Sequence, residues 1–533
     1  MRIRQSAISV LLALSLAAPA LAADGHFKIL QINDVYKIEG LENGTVGGLA
    51  RVRTIRKQLE SDGTPVLLMH AGDALFPSVM SKYLAAQPIL RVMNVLDGDA
   101  AAFDPNMFVT LGNHELENPD AIYTLGRLAQ SDFRWVTSNV FYCHGGNCEE
   151  TFAKRVPTMH DTLVINAGGV RVGIFGLTTD SGKADYFRID FNDEKSRFAA
   201  ARKAIDSLKK RGARVIIGLT HEDFDDDVVL AQQFPEITLI VGGHDHLYGR
   251  RKVGSTLITK ADADAKSVIV WDVRVPAKGK PIVTADRMMV DTTVANDPMV
   301  ANEVAMWQAA LVKKLGPNDT IGQTTNLLEG LEPAVRGRET ALGNFLADVA
   351  RDFMQADIGL MNGGGIRIND NIPPGPVRKY DMEGIFYYAN LLVDFNLTGA
   401  QLLDILRSSV ARVDVGDGRF LQVSGIRFKY RAGGVINPED VQVQRRGESD
   451  FRPLDLAGTY HVGTIQYIYD RGSEDGYPLF DPKNPDRPKL LRNRTAPDYA
   501  AKYDYRAATE QTIRALPDKT ITTAIEGRIV RVE

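Results

Sequence analysis

The pattern of hydrophobic and polar positions predicts a domain of alternating strands and helices between residues 23 and 290. Apolar runs that suit strands occur at residues 27–32, 65–69, 107–111, 170–177, 215–219 and 237–241. Residues 48–61 repeat apolar side chains at helical spacing, which predicts an amphipathic helix. Five of these six predicted strands run into polar or charged residues. Strand-based α/β domains place their sites at the carboxyl ends of strands, so we expect a site there.

A second α/β domain is predicted at residues 321–533. Residues 296–315 have the pattern of a helix that Gly316 and Pro317 end, so we assign residues 291–320 to a linker helix. Further helices are predicted at residues 341–354 and 399–410. A glycine-rich turn at residues 362–365 follows an apolar strand.

The first 22 residues have the pattern of a signal peptide. Arg2 and Arg4 precede an apolar run at residues 7–18, and small residues follow at 20–22. The run is too short to span a membrane. We therefore expect cleavage before Ala23 and a periplasmic or secreted protein without a membrane anchor. The alternative is a buried N-terminal helix.

Chain length, net charge and cysteine content limit the number of domains and the kinds of ligand that the protein can bind. A chain of 533 residues is too long for one core. With 63 basic and 67 acidic residues, the net charge is −4, so a nucleic-acid partner is not expected. Any phosphate ligand must then be bound by local positive charge. The two cysteines, Cys143 and Cys148, favour a small disulfide in an oxidising compartment over a zinc site, which would need more ligands nearby.

The polar residues at the predicted strand ends have the chemistry of metal ligands. They are Asp34, Asp73, Asn113, His114, His221, His244 and His246. Singly, each is more often a packed histidine or a turn residue. Together, carboxylates, an amide and imidazoles suit borderline divalent ions such as Zn, Mn, Fe or Co. A shared carboxylate can hold two ions that clamp a phosphate and activate water, so the set predicts phosphoester hydrolysis.

The same motifs resemble those of a known family. NDVY at residues 33–36, AGDALFPS at 71–78, LGNHELE at 111–117, LTHE at 219–222 and GGHDH at 242–246 are similar to calcineurin-like metallophosphoesterases. They look most like the 5′-nucleotidase family, which includes bacterial UDP-sugar hydrolases. The resemblance covers nearly all of the chain after residue 22. It implies a four-layer αββα metallophosphoesterase domain, joined by a helix to a smaller α/β substrate-binding domain.

The resemblance implies roles for individual residues in the first domain. The implied ligands of two divalent ions are Asp34, Tyr36, Asp73, Asn113, His221, His244 and His246. Asp73 would bridge the ions. His114 would contact the phosphate or protonate the leaving oxygen, and Glu117 would hold its ring.

Two of these positions depart from the family pattern. Glu117 stands where the family usually has Asp, and Tyr36 stands where it usually has a histidine ligand. A phenol has a pKa near 10 and is a poor ligand when neutral, although a metal can draw off its proton. Tyr36 therefore either binds an ion as phenolate, or hydrogen-bonds to water or substrate, or marks a degraded site.

The second domain has its own set of implied contacts. By themselves, NGGGIR at residues 362–367 suits a turn and the tyrosines suit a core. The resemblance implies instead that they bind a nucleotide, through arginine forks and aromatic stacking. The implied substrate contacts are Arg338, Asn362, Arg367, Tyr388, Tyr469 and Asp475. Tyr388 and Tyr469 stand where the family commonly has Phe, and Ser473 and Glu474 replace two glycines.

The leading interpretation is an exported dinuclear-metal phosphoesterase that hydrolyses nucleotides to nucleoside and phosphate. One alternative is a 2′,3′-cyclic nucleotide phosphodiesterase, or a UDP-sugar or NAD pyrophosphatase, on the same scaffold. Another is a non-catalytic nucleotide-binding protein with a degraded metal site. The sequence leaves the native metals and the oligomeric state open.

Overall fold

The computed structural model describes residues 24–118, 120–179, 185–191 and 193–533. The predicted signal peptide, residues 1–22, lies outside the described residues. Within the described ranges, no helix has both the length and the apolar composition needed to cross a membrane.

The first domain is built from strands that alternate with helices. Its strands are β1 (Gly25–Ile32), β2 (Val66–His70), β3 (Met107–Val109), β4 (Arg134–Val136), β5 (Val140–His144), β6 (Asn147–Thr151), β7 (Met159–His160), β8 (Thr162–Ala167), β9 (Val170–Thr178), β10 (Phe187–Ile189), β11 (Val215–His221), β12 (Leu239–Gly242), β13 (Gly249–Val253), β14 (Thr256–Lys260), β15 (Ser267–Val275) and β16 (Ile282–Met289). Its helices are α1 (Leu49–Glu60), α2 (Val79–Leu84), α3 (Gln87–Met93), α4 (Ala121–Leu128), α5 (Glu194–Lys210) and α6 (Phe224–Gln233).

Two sheets stack face to face between layers of helices. One has the strand order β16-β15-β1-β2-β3-β4-β7 and the other β13-β14-β12-β11-β9-β8. Side chains alternate along β1, so Ile29 joins Ile217 of the other sheet in a shared core, while Leu30 packs with Val52 of α1. Ile216 on the far side packs with α5. The predicted four-layer αββα arrangement is therefore confirmed.

The second domain is smaller. Its strands are β17 (Thr320–Thr324), β18 (Leu328–Glu329), β19 (Ile358–Asn362), β20 (Asn371–Ile372), β21 (Gly375–Arg378), β22 (Leu392–Thr398), β23 (Leu421–Ser424), β24 (Ile426–Tyr430), β25 (Val441–Val443), β26 (Arg452–Pro453), β27 (Thr459–Ile465), β28 (Thr520–Ile521) and β29 (Ile529–Arg531). After the connecting helix α7 (Pro298–Leu315), its helices are α8 (Glu332–Val335), α9 (Ala341–Phe353), α10 (Lys379–Ile385), α11 (Gly399–Val410), α12 (Gln466–Arg471), α13 (Tyr499–Tyr503) and α14 (Tyr505–Ala515).

A single hydrophobic cluster fills this second domain. A sheet of order β22-β27-β19-β23 lies at its centre. Leu360 of β19 and Val462 of β27 pack there with Leu346 of α9 and Leu402 of α11. The two-domain α/β architecture expected from the sequence is thus confirmed, whereas the boundaries that we assigned to the domains stay predictions.

Helix α7 lies on the first domain and leads into the second. Its N-terminus is capped by the Asp297 side chain, which accepts hydrogen bonds from two backbone N–H groups. Val300 and Leu311 are buried in the core of the first domain. At its end, the Gly316 carbonyl accepts a hydrogen bond from the Tyr380 hydroxyl at 2.7 Å. The connection is therefore packed against both domains.

Candidate active site

The candidate metal ligands follow the ends of neighbouring strands. Asp34 follows β1, Asp73 follows β2, and Asn113 lies beyond β3, and these strands are parallel. His221 ends β11, and His246 follows the parallel strand β12. Because parallel strands end at one edge of a sheet, and the two sheets are stacked, the loops meet at one place.

One oxygen of Asp73 lies between the two halves of the cluster. Asp73 Oδ2 is 3.1 Å from the Tyr36 hydroxyl and 3.2 Å from His221 Nε2. Asp34 Oδ1 is 3.4 Å from the Tyr36 hydroxyl and 3.4 Å from His246 Nε2. Asp34, Asp73 and His221 offer potential ligand atoms that all lie within 4.8 Å of one another. All five side chains are buried.

The imidazole of His221 is oriented by the main chain. Its Nδ1 donates a hydrogen bond to the Ala71 carbonyl at 2.7 Å, which leaves Nε2 facing the cluster. Asn113 Oδ1 lies 3.1 Å from that Nε2. A backbone partner of this kind is what holds metal-binding histidines in the ligating tautomer.

His244 lies at the more exposed side of the cluster. Its ring meets that of His221 edge to face at 5.0 Å, and its Nε2 is 3.4 Å from Asp223 Oδ1. Its backbone N–H donates to Asp34 Oδ2 at 3.0 Å. The structure thus gathers all seven predicted ligands, with His244 at the rim.

The charges of the buried carboxylates favour binding of a cation in the cluster. Burial lowers the pKa of His221, but the carboxylates of Asp73 and Asp34 outweigh it and raise the pKa to about 10. Burial, together with the same carboxylates, raises the pKa of the Tyr36 phenol well above its usual value. The negative charge that attracts a proton to His221 would equally attract a metal ion. The donor set of carboxylates, imidazoles and an amide therefore fits divalent metals.

The backbone of these loops is held in an uncommon conformation. Asp34, Asp73, His244 and His246 have positive φ angles of 51°, 55°, 87° and 60°. Such a conformation costs roughly 1–2 kcal/mol for a residue with a Cβ atom. It persists where surrounding contacts determine it, and such positions concentrate at functional sites.

Glu115, which was not among the residues predicted from the sequence, supplies much of that support. Its carboxylate accepts hydrogen bonds from the backbone N–H groups of Asp73, Ala74, Leu75 and Gly112 at 2.6–3.0 Å. Burial and the Asp73 charge raise the pKa of Glu115 to about 7. A Cβ atom on Gly112 would lie 2.0 Å from Asp73 Oδ1, so glycine is required there.

Lys260, at the end of β14, supports the other loops. Its ammonium is buried and donates to the carbonyls of Glu222 and Gly243, and to the carboxylate of Asp245. Those carbonyls belong to the residues next to His221 and His244. The buried ammonium therefore connects the two loops that present these histidines.

His114 points from the first domain towards the second. Its Nδ1 lies 3.0 Å from Glu117 Oε2, and its Nε2 lies 3.7 Å from Asp73 Oδ2. Its backbone N–H donates to Asp73 Oδ1 at 2.9 Å. Arg367 Nη2, from the second domain, is 3.4 Å from the same Nε2.

Arg367 of the second domain lines the cleft, and Arg336 pairs with Glu332, another residue that lines it. A cavity of about 620 Å³ between the domains is lined by Tyr36, His246, Glu332 and Arg367, among others. Glu332 accepts from Arg336 Nη1 at 2.6 Å and lies 3.8 Å from Arg367 Nη1. The sequence analysis did not single out Arg336, although the pattern R-x-R-E contains it.

The structure does not bring every predicted substrate residue into the cleft. Arg338 is half exposed and pairs with Glu329 through two contacts of 2.7 Å. Tyr469 packs against Phe395 and Phe480, and its hydroxyl donates to the Pro488 carbonyl at 3.0 Å. Both side chains are thus engaged within the second domain.

The remaining predicted substrate residues are held by hydrogen bonds to neighbouring side chains or to the main chain. Tyr388 is 43% exposed and its hydroxyl donates to Glu117 Oε2 at 3.1 Å. Asp475 accepts from the hydroxyl of Tyr467 at 3.3 Å. Tyr467 is 38% exposed and was not predicted. Asn362 is buried and donates to the Gly418 carbonyl at 3.4 Å.

The predicted disulfide is present. Cys143 and Cys148 are bonded across the hairpin of β5 and β6, which belongs to a separate small sheet with β10.

Comparison with known proteins agrees with this geometry. The calcineurin-like phosphoesterase family matches residues 27–248, and the 5′-nucleotidase C-terminal domain family matches residues 320–482. The chain joins a calcineurin-like phosphoesterase domain to a 5′-nucleotidase C-terminal domain. It is a metal-dependent phosphoester hydrolase of the 5′-nucleotidase type, and we call its two parts the phosphoesterase domain and the nucleotidase domain.

Individual relatives have low sequence identity to this chain but align with most of its length. The trifunctional nucleotide phosphoesterase protein YfkN of Bacillus subtilis (strain 168) is 27% identical over 530 residues, which cover 91% of this chain and 34% of that protein. Snake venom 5′-nucleotidase of Naja atra is 25% identical, over 81% of this chain and 85% of the relative. The crystal structure of a 5′-nucleotidase precursor from Thermus thermophilus has a TM-score of 0.76 at 24% identity, over 95% of this chain and 99% of the other. That likeness shows a shared two-domain fold.

Proposed function

We propose that this chain is an exported, dinuclear-metal enzyme that hydrolyses nucleotides to nucleoside and phosphate. The observation that carries the proposal is the position of Asp73 Oδ2. It lies 3.1 Å from the Tyr36 hydroxyl and 3.2 Å from His221 Nε2, which belong to opposite halves of the ligand cluster. A carboxylate oxygen with ligand groups on both sides is suited to bridge two cations.

The other ligand groups divide around that oxygen. Asp34, Tyr36 and His246 would hold one ion, and Asn113, His221 and His244 the other. Cations bound there would neutralise the phosphate oxygens and acidify the attacking water. In this proposal Tyr36 belongs to the ligand set, because its hydroxyl is 3.0 Å from His246 Nε2 and close to both carboxylates.

His114 is suited to the leaving-group side of the reaction. As a water oxygen bonds to phosphorus, the ester P–O bond breaks and the leaving 5′-oxygen takes up a proton. Glu117 Oε2 lies 3.0 Å from His114 Nδ1 and can orient the ring so that Nε2 would deliver this proton to the leaving oxygen. Arg367, beside the same Nε2, supplies positive charge for the phosphate oxygens.

The nucleoside would be bound by the nucleotidase domain. Tyr388 and Tyr467 are both part exposed, and Asn390 Oδ1 accepts from the backbone N–H of Tyr467 at 3.3 Å, which brings the two segments together. Exposed aromatic faces can stack a base with a free energy of about 1–3 kcal/mol. Asp475, held by Tyr467, lies beside this platform.

Export is supported by the signal-peptide pattern and by the Cys143–Cys148 disulfide. Disulfides persist in oxidising compartments and are rare in the cytosol. Fractionation of cells that express the full chain tests this part, since a cytoplasmic, uncleaved product would contradict it.

The experiment that tests the reaction is phosphate release by purified protein. Protein stripped by chelator is reloaded with Mn, Zn, Fe or Co, and metal content is measured alongside hydrolysis of AMP. We expect two ions per chain and phosphate release, with loss of turnover but not of metal in His114→Ala. The exposed His144→Ala variant is the matched control and should behave as the unaltered protein does. AMP binding without hydrolysis, with one ion or none, would instead favour the non-catalytic alternative.

A diesterase or pyrophosphatase activity is a second candidate. The 27% identical relative from Bacillus subtilis is named a trifunctional nucleotide phosphoesterase. The same screen should therefore include 2′,3′-cyclic AMP, UDP-glucose and NAD. Faster turnover of any of these than of AMP would change the substrate that we propose while leaving the metal chemistry in place.

A further inference from the structure

Two positions that depart from the family pattern meet at the catalytic histidine. Glu117 of the phosphoesterase domain stands where Asp is usual, and Tyr388 of the nucleotidase domain stands where Phe is common. In the structure the Tyr388 hydroxyl donates to Glu117 Oε2 at 3.1 Å. The same oxygen lies 3.0 Å from His114 Nδ1.

We propose that Tyr388 is a positioning residue that fixes the His114 ring through Glu117 when the nucleotidase domain is docked. This inference rests on the proposed function, because it assigns a task to Tyr388 in that reaction beyond contact with the nucleoside. The Tyr388 phenol hydrogen-bonds to the Glu117 carboxylate across the domain interface, and the same carboxylate oxygen approaches the His114 imidazole to 3.0 Å.

Both the glutamate at position 117 and the tyrosine at position 388 are needed for this series of side-chain contacts. Glu is longer than Asp by one C–C bond, about 1.5 Å, so Asp at 117 could not reach both Tyr388 and His114 with the same backbone. Glu also has one more rotatable bond, so it needs an additional partner to stay in one conformation. Phe at 388 would lack the donor. The hydroxyl of Tyr388 thus gives the longer Glu117 side chain a hydrogen bond from the nucleotidase domain.

The position of Tyr388 in turn depends on contact between the domains. The carbonyl of Tyr387 accepts from Lys82 Nζ at 2.7 Å, and the Tyr83 hydroxyl donates to Glu383 Oε2 at 2.6 Å. Lys82 and Tyr83 lie on α2 of the phosphoesterase domain. Separation of the domains would therefore withdraw Tyr388 from Glu117.

Both ring nitrogens of His114 have neighbours that depend on the nucleotidase domain. Nδ1 faces Glu117, which Tyr388 holds, and Nε2 is 3.4 Å from Arg367 Nη2. The docked nucleotidase domain consequently determines the orientation of the ring at both nitrogens.

A double-mutant cycle tests the proposal. Full-length holoenzyme is compared with Glu117→Asp, Tyr388→Phe and the double variant, using AMP and ribose 5-phosphate, which has the same leaving 5′-oxygen and no base to stack. We expect Tyr388→Phe to lower kcat about tenfold on both substrates, as for loss of one hydrogen bond to a charged acceptor. The KM for AMP should change by less than about twofold, because the ring remains. In the Glu117→Asp background, Tyr388→Phe should change kcat by less than about twofold.

Tyr142→Phe is the control, because Tyr142 lies on β5, outside the residues that line the cleft, and the change leaves Glu117 untouched. It should stay within about twofold of the unaltered enzyme. Additive effects of Glu117→Asp and Tyr388→Phe would overturn the proposal. So would a Tyr388→Phe effect confined to the KM for AMP, which would assign Tyr388 to stacking alone.

A crystal structure of Tyr388→Phe separates this proposal from the proposed function. We expect the Glu117 and His114 side chains to occupy more than one rotamer in that variant. If both keep the single arrangement described above, the positioning role is rejected, whether or not the protein hydrolyses AMP. Failure of the unaltered protein to release phosphate would reject the proposed function, and the rotamers would still decide this inference.

Discussion

The two walls of the interdomain cleft differ in how deeply their functional side chains are buried and in how firmly they are held. On the phosphoesterase side, Asp34, Asp73 and His221 are wholly buried at the ends of strands, and Glu115 and Lys260 hold their loops from behind. On the nucleotidase side, the aromatic residues Tyr388 and Tyr467 are about 40% exposed.

This difference matches the tasks that we assign to the walls. Chemistry at phosphorus requires groups held to within a fraction of an ångström, which buried and cross-braced loops provide. Recognition of a nucleoside tolerates adjustment, since stacking depends on contact area more than on exact geometry. Substitutions confined to one wall at a time test this difference.

The largest effect is expected for Asp73→Asn. Loss of one carboxylate charge from the shared position should lower kcat/KM by about a thousandfold or more. Metal content, measured on the same samples, should fall below two ions per chain. Asp62→Asn, at an exposed surface pair with Lys28, is the control. Two tightly bound ions in Asp73→Asn would contradict the shared-ligand assignment.

The second-largest effect is expected for Lys260, which supports the metal-binding loops of the phosphoesterase domain from behind. Lys260→Met keeps the length of the side chain but removes the ammonium that joins the Glu222 and Gly243 carbonyls. Affinity for the metal should fall by about 10- to 100-fold, as for the loss of other outer-sphere partners. Competition with a chelating indicator measures it, and Lys252→Met on the exposed strand β13 serves as the comparison. Equal affinities in the two variants would show that the ammonium only stabilises the fold.

On the substrate wall, two neighbouring arginines give a matched test. Arg336 faces Glu332 beside the cleft, while Arg338 pairs with Glu329 and is half exposed. Arg336→Met should raise the KM for AMP about tenfold or more, since a hydrogen bond to a charged group contributes about 1.5–3 kcal/mol. Arg338→Met should change it less than about twofold. A larger rise in KM for Arg338→Met than for Arg336→Met would instead support Arg338, the residue predicted from the sequence, as the substrate contact.

The smallest effect is expected for a single aromatic contact. Tyr467→Leu should raise the KM for AMP about five- to tenfold, through lost stacking, and leave the KM for ribose 5-phosphate, which has no aromatic ring, nearly unaffected. Tyr469→Leu should instead lower the melting temperature, because that ring packs against Phe395 and Phe480. Thermal unfolding and steady-state kinetics on both variants distinguish the two residues.

The contrast between the walls also accounts for what could be predicted from sequence. The strand periodicity led directly to Asp34, Asp73, Asn113 and His221, because residues at the ends of adjacent parallel strands must meet. Glu115 was missed because a glutamate next to a histidine in a short motif looks like a solvated residue. Its burial follows only from the packing of two loops.

On the substrate wall, the predicted residues Arg338 and Tyr469 lie away from the cleft for a common reason. Helix α8 brings Arg336 one turn beyond Glu332, so these two share a face and Arg338 turns away. Helix α12 likewise separates Tyr467 from Tyr469 by about half a turn. A motif supplies both members of each pair, but only the helical phase decides which one reaches the cleft. The contact of Tyr388 with Glu117 depends in addition on how the domains dock, which local sequence does not encode.

The single oxygen of Asp73 that faces both halves of the cluster has a thermodynamic consequence. Occupants on either side of it would share one negative charge, so the free energy of filling one half depends on whether the other is filled. Titration with metal should therefore deviate from two independent binding isotherms. By reciprocity, an ion in one half changes the affinity of the other half by the same factor as an ion in the other half changes the affinity of the first.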